Sequence, residues 1–162
     1  DGVKLSASYT PSNGTTEVES SSDYGIEYTG VEGLTIGVAQ GEDNTSATAG
    51  IETTNMYIKY AMDSITIGFQ TSEDDSETAN SDIDFSAIGV SYAVSDDMSI
   101  SLNSSTHDYE SATLSDQEAL GISISYTMGS MTLTANHNQI DNLAGSADKD
   151  RSGYAMSLGF AF

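Results

Sequence analysis

The chain has 162 residues, enough for one ordinary domain, yet it carries 25 acidic residues against four basic ones (Lys4, Lys59, Lys149 and Arg151), a formal net charge of −21. Four cations cannot neutralise a run of phosphates, so nucleic acid is excluded as a partner. Cysteine is absent, which rules out disulfides, thiolate metal sites and thiol nucleophiles.

Taken in chain order, period-two alternation predicts ten strands, each marked by its apolar parity. The first four are Val3-Leu5-Ala7-Tyr9, Tyr24-Ile26-Tyr28, Leu34-Ile36-Val38 and Met56-Ile58-Tyr60-Met62. Ile65-Ile67-Phe69, Ile88-Val90-Tyr92-Val94 and Met98-Ile100-Leu102 follow. Leu120-Ile122-Ile124-Tyr126-Met128, Met131-Leu133-Ala135 and the terminal run Tyr154 to Phe162 complete the set.

The connections alternate in length: short at 31–33, 63–64, 95–97 and 129–130, long at 11–22, 41–52, 72–82, 104–117 and 140–151. Short turns on one rim and long loops on the other describe an up-and-down meander. The long connections are polar and acidic, so the negative charge is expected along one rim.

The other parity is small and hydroxyl-rich, as in Ser99-Ser101-Asn103 and Thr132-Thr134-Asn136. Two architectures fit: a soluble sheet with its apolar face covered, or a barrel with lipid outside and water inside. Segments of 8–11 alternating residues, tyrosines on the apolar parity near strand ends and the loop asymmetry favour the barrel. No apolar run approaches the ~18 residues of a membrane-spanning helix, which does not count against strands. The predicted fold is all-β, a transmembrane antiparallel up-and-down β-barrel. A sheet in lipid must close, alone or with strands outside this chain, because unpaired backbone groups cost several kcal/mol each.

Parity points Lys4, Glu27 and Lys59 inward, as candidate pore-lining charges. Lys4 and Glu27 are expected as near-diagonal neighbours, a wall salt bridge in contact with solute or a pair serving only register. Glu42, Asp43, Glu73, Asp74, Asp75 and Glu77 are the densest acidic groups, with oxygen ligands suited to calcium or simply solvated loop charge. His107 and His137 fall on opposite faces and match no nucleophile–base pattern, so no catalytic residue is assigned. His137 reads as a residue near lipid head groups.

The stretches DGVKLSASYTPSNG, DYGIEYTGVEGLTIGVAQG, SAIGVSYAVSDDMSISLNSS, ALGISISYTMGSMTLTANHNQ and SGYAMSLGFAF together resemble a bacterial outer-membrane general porin. More narrowly, they resemble the last ten strands of an alphaproteobacterial porin of sixteen. A complete ten-stranded barrel is the alternative. The resemblance implies a passive channel for ions and small hydrophilic solutes, in contact with outer-membrane lipid and lipopolysaccharide, and the acidic outer mouth is expected to make it cation-preferring. It also implies a homotrimer, no required cofactor, loops cross-linked by calcium, and an assembly signal in Tyr154, Phe160 and Phe162 read by the outer-membrane assembly machinery. The competing class is a non-conducting structural or adhesive barrel whose acidic loops bind a partner.

Overall fold

The computed structural model describes residues 2–12, 14, 19–44 and 50–161. It contains ten strands: β1 (Val3–Thr10), β2 (Ser21–Tyr28), β3 (Leu34–Asp43), β4 (Ile51–Met62) and β5 (Ile65–Ser76), then β6 (Ile83–Ser95), β7 (Met98–Tyr109), β8 (Gln117–Met128), β9 (Met131–Asp141) and β10 (Arg151–Phe160). They form one sheet in sequence order, every neighbouring pair antiparallel. β1 and β10 are not neighbours, so the sheet has two edges among the described residues.

The apolar parities align through the register. Leu5 faces Ile26 and Ile26 faces Val38; Val90 faces Leu102, which faces Ile122. One side of the sheet is therefore continuously apolar and the other carries Ser, Thr, Gly and Asn. Tyr28, Tyr60, Tyr92 and Tyr126 lie on the apolar side close to the short turns, while Tyr9, Tyr24 and Tyr154 lie nearer the long-loop rim.

The strands outrun the predicted segments at the long-loop rim. β3 continues five residues past Val38 and β5 seven past Phe69, up to Ser76. The long connections are correspondingly shorter than predicted, and Glu42, Asp43, Glu73, Asp74 and Asp75 belong to strands rather than loops. Short turns need few residues because glycine supplies the left-handed backbone: Gly33 has φ +74°, and a Cβ there would sit 2.1 Å from the Ala61 carbonyl oxygen.

No described hydrophobic residue is buried, and Leu5 (75%), Tyr154 (85%) and Met156 (75%) are largely exposed. A single-layer sheet with one wholly apolar side has no core of its own. Its apolar side is satisfied only by another apolar phase.

Candidate channel wall

The three predicted wall charges share the polar side. Lys4 is directly opposite Glu27 rather than diagonal to it. The row continues from Glu27 to Gly37 and from Gly37 to Tyr57, and the Tyr57 hydroxyl donates to Glu27 Oε2. The expected Lys4–Glu27 salt bridge is absent among the described residues, because Glu27 is engaged from the other direction.

Lys59 lies between Thr35 and Gly68. With Tyr57, Gly68, Gln70, Gly89 and Asn103 it lines a hollow of about 310 Å³ on the polar side. Two glycines on successive strands leave the wall bare there, and the lysine and amides supply donors without a carboxylate beside them. Sequence reasoning passed over Arg151, which alternation also places on the polar side, opposite Ile140. It passed over Tyr57 as well; parity alone would have found both.

The acidic residues divide by parity. Asp43 and Asp74 are on the polar side, Asp74 accepting from Thr53 Oγ1 at 2.7 Å, whereas Glu42, Glu73 and Asp75 extend the apolar side above its hydrophobic belt. There they meet like charges: Glu42 faces Glu52, Glu52 faces Asp75, Glu73 faces Asp84 and Asp84 faces Asp108. Directly opposed carboxylates repel, and this belt continues the apolar side of the sheet past its hydrophobic run, opposite to the polar side. Glu42, Glu52, Asp75 and Glu77 border one hollow, but among the described residues no three carboxylate or imidazole groups converge as a metal site.

The histidines face opposite sides, as parity predicts. His137 stacks on Tyr154 on the apolar side, with ring centroids 4.2 Å apart. His107 is on the polar side against Phe85, centroids 4.8 Å apart, and its Nδ1 is 3.3 Å from Gln117 Nε2. Gln117 Oε1 in turn accepts from the Ala144 backbone N–H at 2.8 Å. Further hydrogen bonds, Asn142 Nδ2 to the Asp116 carbonyl and Ser115 N to the Gly145 carbonyl, both at 3.0 Å, fasten the β9–β10 loop onto the β7–β8 loop. Gln117 is on the polar side of β8 by alternation, so the turn at 143–145 is tied to that strand's polar side, a loop contact that the sequence reading did not foresee.

In the terminal strand, Tyr154 and Phe160 are on the apolar side and exposed, at 85% and 57%. Phe162, the third residue of the expected assembly signal, lies outside the described residues.

The sequence matches the Gram-negative porin family over residues 1–162. Comparison with curated proteins gives no match. Among solved structures, an anion-selective porin from Comamonas acidovorans superposes with a TM-score of 0.82 at 12% identity, covering 99% of this chain and 56% of that one. A mutant of the Rh. blastica porin gives a TM-score of 0.63 at 19% identity, covering 88% and 46%. OmpT, an outer membrane protein of Vibrio cholerae, gives 0.66 at 16% identity, covering 100% and 61%. At such identities the likeness is one of fold, and the chain spans between 46% and 61% of the length of these three. Short turns on one rim, longer connections beside an acidic belt on the other, an apolar side for lipid and a match along the whole sequence place the chain in the bacterial outer membrane and make it a member of the Gram-negative porin family.

Proposed function

We propose that the chain supplies ten strands to the wall of a passive diffusion channel for ions and small hydrophilic solutes. The observation that carries this reading is the two-sided sheet: an exposed apolar side that only lipid can satisfy, backed by a hydroxyl- and amide-rich side that water can wet. The open edges of β1 and β10, and coverage of roughly half of the Comamonas acidovorans and Rh. blastica porin chains, support pairing of those edges with further strands of a larger barrel, although the NanC porin is matched over its full length at a TM-score of 0.63. A homotrimer, and recognition of the terminal strand by the assembly machinery, belong to the same proposal.

Charge preference has two sources in this reading. The acidic long-loop rim attracts cations at low salt, but its field is screened over about 10 Å at 0.1 M, and many of its strand carboxylates lie outside the lumen. The wall itself presents Lys4, Lys59 and Arg151 on the polar side, with Glu27 beside Lys4 and with Asp23, Asp43 and Asp74 toward the long-loop rim. The cation preference expected from composition is therefore a property of the mouth, strongest at low ionic strength. The solved neighbour described as anion-selective has the same fold at 12% identity.

Reversal potentials across a salt gradient test the wall assignment. Neutralising the wall cations with Lys59→Gln and Arg151→Gln moves the potential toward cation preference; an unmoved potential means that the polar side does not line the conducting path. A reconstituted barrel that passes no ions favours the adhesive class instead.

A further inference from the structure

Lys4, Glu27, Gly37 and Tyr57 form a straight row across β1 to β4 on the polar side. Direct opposition is the arrangement in which a lysine and a glutamate on neighbouring strands ordinarily pair. Here Glu27 accepts from Tyr57, two strands away, and Lys4 has neither a hydrogen-bond nor an ion-pair partner among the described residues. Gly37 makes the reach feasible: a Cβ at that position would lie 2.2 Å from the Tyr57 ring. The ring thus occupies the space of the missing side chain and spans β3. A tyrosine hydroxyl donating to a carboxylate is a charge-assisted bond, and an exposed ion pair is weak enough to lose to it.

We infer that Tyr57 is a specificity-determining residue of the wall: by lying over Gly37 and holding Glu27, it keeps Glu27 from pairing with the Lys4 ammonium and leaves that charge available to anionic solutes. The inference rests on the passive-channel reading, and Tyr57 acts through Glu27 without itself needing to touch solute.

The test is acylation of Lys4 by a small water-soluble amine reagent, applied to the full-length protein in lipid vesicles and read by mass spectrometry. Lys149, exposed in the β9–β10 loop, is the internal reference. Tyr57→Phe keeps the ring over Gly37 but frees Glu27 to turn to Lys4, so acylation of Lys4 relative to Lys149 falls about two- to fivefold, as an exposed ion pair allows. Gly37→Ala displaces the ring and gives the same fall, and adding Glu27→Gln to Tyr57→Phe restores the original ratio. An unchanged ratio in Tyr57→Phe, or a fall that Glu27→Gln does not reverse, overturns the inference. In the conducting protein Tyr57→Phe also moves the reversal potential toward cations, and an unmoved potential overturns the assigned role. A preparation that carries no current refutes the channel reading, while the acylation ratio still decides whether Tyr57 governs Lys4.

Discussion

Ile124 and Ser123 are adjacent on β8, at one height in the sheet and on opposite sides of it. Ile124 faces Ile100 and Ala135, and it is 41% exposed with no protein layer over it. Ser123 faces Ser101 and Asn136. Ile124 is also the middle of the apolar run Leu120 to Met128, so it lies near the centre of the proposed hydrocarbon layer. An arginine on the lipid face near the bilayer midplane costs about 2–4 kcal/mol. Ile124→Arg should therefore lower the folding equilibrium constant about 30- to 700-fold, whereas Ser123→Arg, pointing into water, should cost well under 1 kcal/mol, as ordinary surface changes do. The assay is urea-dependent folding of the full-length protein into phospholipid vesicles, with the two variants measured side by side. Equal losses would refute the assignment of sides, and a larger loss for Ser123→Arg would invert it.

Other parts of the account are open to equally direct checks. Gly145 has φ +72° and a Cβ there would sit 2.9 Å from Leu114 Cβ, so Gly145→Leu should detach the β9–β10 loop at a cost of about 1–3 kcal/mol, seen as faster limited proteolysis within 142–150; an unchanged rate means that the loops are not coupled. The opposed rim carboxylates repel, with no convergent metal site among the described residues, so sodium chloride should raise the unfolding temperature as much as calcium at equal ionic strength, and a specific calcium effect would contradict that. Deleting Phe162, or replacing it with Asp, should reduce the yield of inserted barrel while leaving the conductance of inserted channels unchanged; normal insertion would count against an assembly role.

The existence, order and pairing of the strands were legible because alternation of Ile, Val, Leu and Tyr with Ser, Thr and Gly has a period of two wherever one side meets an apolar phase. The strand ends at the long-loop rim were not. Past Val38 and Phe69 both parities turn polar, as in Gln40-Gly41-Glu42 and Ser72-Glu73-Asp74, so the amplitude vanishes although the backbone ladder continues. Lys4 and Glu27 could be brought together from parity and connection order. Their failure to pair could not, since it depends on Tyr57 lying across a bare glycine one strand further on. Contacts between loops, such as Gln117 with Ala144, join residues 27 apart without any periodic signal.

The central claim is that the polar side lines a water-filled path, and planar-bilayer recording of the reconstituted full-length protein tests it most directly. The account predicts stepwise insertions whose conductance rises with bulk electrolyte concentration and whose cation preference fades as ionic strength increases. Well-folded, membrane-inserted protein that never passes current would contradict it.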